Sequence, residues 1–228
     1  MTQCRSAIGK LNWVATQTRP DISFDVSQLS SLLKERKVEI IVRINKVIRK
    51  TKQGKSQIKI PPFQHIQQAR MVICSDASFA NVGGTESQGG HIIYITDGKS
   101  LGFPLAWQSH RLKRVVKSTH AAETLAMVDA AETAVFLRMS VLELLSMTNI
   151  PQNVPLECRT DSAALRNSVH SCTQILDKRL RIETAILREM VARKEISSFI
   201  WVPTTNQPAD ALTKAGVSPT AILRGCPE

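Results

Sequence analysis

The chain has 228 residues, 43% hydrophobic and 21% charged, the balance of a globular protein with a core rather than of a disordered one. Its net charge of +11 sits mostly at the front: residues 1–57 carry 12 Lys and Arg against 4 Asp and Glu, whereas 58–228 carry 18 against 15. No apolar run reaches the roughly 18 residues of a membrane span. The five cysteines, at 4, 74, 158, 172 and 226, form neither a CxxC pair nor a finger spacing, so the expectation is an intracellular protein with reduced thiols, no membrane contact and no zinc finger.

In chain order, helices come first. After "TRPD", where Pro20 suits a helix start, Ile22, Val26, Leu29 and Leu33 recur at helical spacing, and Ile41, Ile44 and Ile48 repeat it. Two or three helices should end at "KQGKSQ". The densest basic run, "NKVIRKTKQGK", falls among them; a solvated helix face would read the same, but in a chain of pI near 9.8 it raises the expectation of a polyanion partner. "IPPFQHIQQ" then reads as a linker, because paired prolines favour extended backbone and supply no ladder donors. The implied division is a helical segment 1–57, a linker 58–69, a main domain 70–216 and a tail 217–228.

From Arg70 the pattern is α/β. "MVICSDASFA", "GGHIIYITDGKS" and "PLAWQSHRL" read as strands, followed by one long amphipathic helix over 117–145. Its apolar stripe is Met127, Ala130, Ala134, Leu137, Val141 and Leu144. A strand at "VPLECRTD", a short helix from Ser162, a helix in "DKRLRIETAILREMVARKE", a last strand in "ISSFIWVPT" and a short helix in "QPADALTKAG" complete a mixed sheet with helices on its faces. Trp107 and Trp201 fall in strand patterns and are expected in the core, and His120 at the surface. Gly83, Gly84, Gly89 and Gly90 flank a hairpin turn without the spacing of a phosphate loop.

Four carboxylates break these patterns. Stepping back four residues from Met127 puts Glu123 on the apolar stripe, unless it lies in a frayed first turn and reaches water. Asp76 ends or nearly ends the first strand, Asp161 ends the fourth, and Asp210 begins the final helix. Taken singly these are turn formers and caps. If the first and fourth strands lie parallel and adjacent, however, all four emerge at one edge, where uncompensated they would repel and lose several kcal/mol. Divalent ions remove that cost. Oxygen ligands without Cys or His select Mg²⁺ or Mn²⁺, and two such ions about 4 Å apart suit phosphodiester cleavage.

At these residues the sequence resembles the ribonuclease H domain of copia-type retrotransposon polyproteins. The blocks are "SDAS", "STHAAETLA", "RTDSAAL" and "WVPTTNQPADALTK", while "RSAIGKLNWVATQTRPDISFDVSQLS" resembles the segment joining it to the reverse transcriptase; together they span about residues 4–216. The resemblance implies a ribonuclease H-like mixed five-stranded sheet flanked by helices, with Asp76, Glu123, Asp161 and Asp210 as ligands of two Mg²⁺ or Mn²⁺ ions in the D, E, D, D order of type 1 enzymes. Integrases and transposases of that superfold place Glu last, and proofreading exonucleases open with Asp-x-Glu, where this chain has "DAS".

The resemblance further implies an RNA–DNA hybrid substrate and, as a partner, a reverse-transcriptase polymerase domain. Two departures bear on turnover: no His follows His170, where type 1 enzymes often carry one before the last Asp, and Arg179 in "KRLR" replaces a His of many copia elements. They keep open a catalytically weak or domesticated nucleic-acid-binding module. The only tyrosine, in "YITDG", lacks the paired aspartates of a polymerase. Ser78, Gln108 and Ser162 are expected beside the ligands and could touch 2′-hydroxyls or phosphates, Ser162 equally serving as a helix N-cap. Arg111, Lys113, Arg114 and Lys117 fit a phosphate clamp and a solvated loop equally well.

Overall fold

The computed structural model describes residues 2–33, 38–54, 58–63, 65–82, 86–98, 102–147 and 153–224. The helical front resolves into α1 (Thr2–Gln17), α2 (Ser23–Leu32) and α3 (Glu39–Gln53), with a 3-10 helix at Pro20–Ile22. Pro20 disfavours helical backbone at the residue before it, and Arg19, at φ −128° and ψ 70°, is where the chain turns. Arg19 forks onto the two Asp21 oxygens at 2.7 and 2.8 Å and donates to the Thr51 carbonyl at 2.8 Å, which ties the turn to α3. Ile22, Val26 and Leu29 are buried as predicted. On α3 the buried stripe is Ile40, Ile44 and Val47 instead of Ile41, Ile44 and Ile48; Ile41 is exposed and Ile48 only half-buried. Both phases satisfy the helical period. The one adopted leaves Arg43, Lys46, Arg49 and Lys50 in water.

Five strands follow: β1 (Arg70–Val82), β2 (Glu86–Thr96), β3 (Phe103–Arg111), β4 (Leu156–Thr160) and β5 (Ser198–Trp201). They pair in the order β3-β2-β1-β4-β5, with β2 antiparallel to both neighbours and β1, β4 and β5 parallel. The expected adjacency of the first and fourth strands is therefore present, in a ribonuclease H-like mixed sheet flanked by helices. One expectation needs correction: β1 does not end near Asp76 but runs six residues further, to Val82. Its backbone groups beyond β4 continue to pair with β2, as in Ser78 with Gln88, so nothing forces the strand to stop.

Period-two alternation sorts β1 onto two layers. Met71 and Ile73 face α4 (Thr119–Ser146) and α6 (Lys178–Ala192), packing with Met127, Ala130, Ala134 and Leu187. Val72 and Cys74 face the other way, onto Trp107, Ala209, Leu212 and Ile222. A short helix, α5 (Ala163–His170), links β4 to α6. Burial on α4 ends at Ala134: Leu137 and Val141 are half-buried and Leu144 is exposed. At 28 residues the helix is roughly 42 Å long, and only its first half faces the sheet.

The predicted tail is not one over its described part. Helix α7 (Thr220–Arg224) packs on the second layer with Ile222 fully buried, because an apolar side chain there completes the cover of Val72, Cys74 and Trp107. The N-terminal helices dock on the same side of the sheet. Trp107 Nε1 donates to the Ala15 carbonyl at 2.7 Å, and Gln88 Nε2 donates to Ser27 Oγ at 2.9 Å. The Phe63 ring, before β1, stacks on that of Phe103 at the start of β3, at 5.7 Å.

Candidate metal centre

Register brings the first two aspartates together. The last parallel pair of the β1–β4 ladder is Cys74 with Arg159, and Asp76 and Asp161 each lie two residues beyond it. Asp76 sits within the strand opposite Gly90, 1% exposed. Asp161 follows the last residue of β4; Thr204 Oγ1 donates to its Oδ2 at 2.9 Å, and Trp201 Nε1 donates to its carbonyl at 2.8 Å.

The third aspartate arrives on a different element from the one expected. Asp210 lies in a 3-10 helix, Pro208–Leu212, not at the start of an α-helix. Pro208 at its first turn and the buried Gln207 before it set this tighter geometry: Gln207 caps the turn through its side chain and its Nε2 reaches back to the Ser75 carbonyl at 3.1 Å. The segment can lie against β2 only because position 90 lacks a side chain. A Cβ on Gly90 would meet Leu212 Cβ at 2.7 Å and Thr213 Cγ2 at 2.9 Å. One oxygen each of Asp76, Asp161 and Asp210 then fall within 4.8 Å of one another.

Glu123 approaches from α4. Ser118 caps that helix, its Oγ accepting from the Ala121 N–H at 3.1 Å, so Glu123 lies in the second turn and not in a frayed first one. It is 5% exposed and accepts from the Ala77 N–H, while its Oε2 has no hydrogen-bond partner among the described residues. Glu123 stands outside the 4.8 Å triad. Burial, then the charges of Asp76 and Asp161, push its pKa up to about 9. Each large apolar side chain buried alongside it on α4, such as Met127, contributes roughly 1.5–3 kcal/mol, which offsets holding that carboxyl out of water.

One cation stands among these acids. Lys214 Nζ lies 2.9 Å from Asp210 Oδ1 and 3.4 Å from Asp76 Oδ2, and the Thr213 hydroxyl donates to Asp76. Burial works to lower the Lys214 pKa, but Asp76 and Asp210 outweigh it and leave it raised. Burial raises the Asp210 pKa, against the opposing hydrogen bond from Lys214. Among the described residues a single ammonium faces the three aspartates, and Glu123 Oε2 has no hydrogen-bond partner. The donor set is all oxygen, which suits a hard divalent cation such as Mg²⁺ or Mn²⁺.

The other predicted contacts are more dispersed. Ser78 lies on β1 opposite Gln88 and is 3% exposed, so it presents little surface to a ligand. Gln108 is exposed but belongs to edge strand β3, opposite His91, about 10 Å or two strand spacings from β1 and hence not beside the ligands. Ser162 is the N-cap of α5, its Oγ accepting from the Leu165 N–H at 3.3 Å. In the basic run, Arg111 pairs with Glu86, Arg114 with Glu183, and Lys117 with Asp177 at 3.6 Å, which makes it largely a stitched loop. Trp107 is core; Trp201, expected there, is 49% exposed because it lies on the outermost strand. His120 is half-buried, with Nε2 3.1 Å from Ser168 Oγ.

Sequence reasoning missed Gly90, Thr204, Gln207, Thr213 and Lys214. Two of them carried a signal: a glycine inside a strand pattern marks close backbone approach, and Asp210 and Lys214 stand at i and i+4.

No family model matches the chain. Among solved structures it is similar to the N-terminal RNase H domain of a Mycobacterium tuberculosis protein, at 16% identity over 68% of this chain and 94% of that one, with a TM-score of 0.45. A second is LC11-RNase H1, isolated from compost, at 20% identity over 63% and 92%, with a TM-score of 0.44. A third is a foamy viral protease-reverse transcriptase in complex with RNA/DNA hybrid, at 16% identity over 81% of this chain but 27% of that one, with a TM-score of 0.44. Strand order and register, rather than these similarities, define the fold.

Proposed function

We propose that the chain is a metal-dependent endonuclease that hydrolyses the RNA strand of RNA–DNA hybrids, the ribonuclease H activity of a copia-type retrotransposon. In this reading residues 1–57 are a reverse-transcriptase connection-like segment, 58–69 a linker and 70–216 the catalytic domain, acting beside a polymerase domain inside the cell. Among the described residues, Cys4, Cys74, Cys158 and Cys172 form no disulfide, and no helix is long and apolar enough to cross a membrane. The observation that carries the reading is the aspartate triad within 4.8 Å beside the buried Glu123, whose Oε2 lacks a partner among the described residues.

Asp76, Glu123, Asp161 and Asp210 would hold two Mg²⁺ or Mn²⁺ ions, which when bound lower the pKa of the attacking water and offset charge on the departing 3′ oxygen. The chain's own residues prepare that arrangement. Thr213 and Thr204 fix the carboxylates of Asp76 and Asp161 through hydroxyl donors, so that they need not reorganise. Glu123 would hold an ion in its deprotonated form, and Lys214, which lies between Asp76 and Asp210, would stand where a bound cation competes with its ammonium. The products would be a 3′-hydroxyl and a 5′-phosphate.

A non-catalytic nucleic-acid-binding module of the same fold is the second reading, favoured by Lys214, whose ammonium already bridges two of the four acids. One assay separates them: hybrid cleavage in Mg²⁺ by the parent and by Asp161→Asn. Metal-dependent cleavage lost in the variant is the expected result. Binding by both without cleavage by either would overturn the hydrolase in favour of the module.

A further inference from the structure

A groove of about 1400 Å³ runs from Thr213, Lys214 and Ala215 at the candidate centre to α2 and α3, and its wall on those two helices has no part in the hydrolysis reading. Its wall on α3 is built by charge periodicity. With Ile40, Ile44 and Val47 buried, Arg43, Lys46 and Arg49 recur three residues apart on the solvent side, with Lys50 four beyond Lys46. These four and Lys214 face one acid of the lining, Asp25. Arg43 is paired by Glu39 and Lys50 by Asp25, but Lys46 and Arg49 make no ion pair among the described residues. Like charges this close on a helix repel, and their repulsion is relieved when an anion is shared between them.

We propose that this groove is a backbone-binding surface on which Lys46 and Arg49 hold phosphates of the same nucleic acid that reaches the carboxylates. The inference rests on the hydrolase substrate proposed above and adds where the duplex continues. From Arg43 to Lys50 the cationic row extends about 10 Å along the helix, enough for two or three successive phosphates of one strand. The groove is also continuous with the centre: Lys214 lines the one and touches Asp76 and Asp210 of the other. An acidic protein segment laid along it would bring more carboxylates against that cluster, whereas a phosphodiester is what the cluster would act on.

The test measures hybrid binding by fluorescence anisotropy across a salt series in the Asp161→Asn background, so that cleavage does not enter. Both groove cations are exposed, and alanine keeps the helix. Lys46→Ala/Arg49→Ala should flatten the slope of log K against log salt by about 1.4–1.8 and weaken binding about tenfold or more at moderate salt. Lys178→Ala/Arg181→Ala, which removes two exposed cations from α6, should leave the slope unchanged. In the otherwise unaltered protein, the groove pair should raise KM and leave kcat within about twofold.

An unchanged slope for the groove pair overturns the proposal, as does an equal drop for the α6 pair. So does loss of poly-glutamate binding with hybrid binding intact, which would assign the groove to an acidic protein. Failure of the hydrolase reading looks different: a parent that never cleaves while the slope still falls leaves the groove standing.

Discussion

Replacing Lys214 by Met removes a charge while keeping most of the stem, and its effect is calculable. The ammonium lies 2.9 Å from Asp210 Oδ1 and 3.4 Å from Asp76 Oδ2, which in the bulk-water limit is about 1.4 and 1.2 kcal/mol of attraction. The Lys214 side chain is 37% exposed, so solvent screening holds the sum near that limit, and the entropy of ordering a long side chain reduces it further. A loss of about 2 kcal/mol follows for the metal-free protein. For a chain of this length that lowers Tm by about 4–8 °C.

Manganese reverses the comparison, because ions bound by the four carboxylates take over the work of the ammonium. A thermal melt of parent and Lys214→Met across a Mn²⁺ titration should show the gap closing at saturation. The variant should also bind Mn²⁺ about 30-fold more tightly, since 2 kcal/mol of competition has been removed. A gap that stays constant at every Mn²⁺ concentration, or weaker binding by the variant, would refute the claim that Lys214 and the ion share one site.

Two further outcomes follow from the geometry. The Glu123 pKa of about 9 lies above its ordinary value, so the folded metal-free protein keeps a proton that the unfolded chain loses, and stability is present at low pH and lost as pH rises toward 9, by at most about 1.4 kcal/mol per pH unit. Denaturant titrations between pH 6 and 8 should show this decline in the parent and not in Glu123→Gln, which should in turn gain far less from added Mn²⁺. Gly90→Ala drives a methyl to 2.7 Å from Leu212 Cβ; it should cost about 1–3 kcal/mol and, by displacing the turn that carries Asp210, lower Mg²⁺-dependent hybrid cleavage more than tenfold, measured as kcat below its melting temperature.

Much of this centre was legible because a carboxylate on an apolar stripe or at a strand end contradicts its surroundings, as Glu123 and Asp161 do. Helix and strand order were legible for the same reason, from period and turn residues. Phase was not: six apolar residues between Ile40 and Ile48 satisfy two overlapping stripes, and only packing against α1 and α2 selects Ile40, Ile44 and Val47. That β1 runs on past Asp76 was legible in "MVICSDASFA", but its extent to Val82 was not, because pairing with β2, a non-local property, sustains it. Thr204 gave no sign, since a hydroxyl in a loop acquires its role only when β5 lies beside β4. Gln108 lies two strand spacings from Asp76, a separation set by the sheet order and not by the sequence around it.

The most direct measurement is anomalous scattering from crystals soaked in Mn²⁺. Two peaks about 4 Å apart, bounded by Asp76, Glu123, Asp161 and Asp210 and with Lys214 displaced, are the predicted result. Lys214 still bridging Asp76 and Asp210 with no peak among the acids would contradict it.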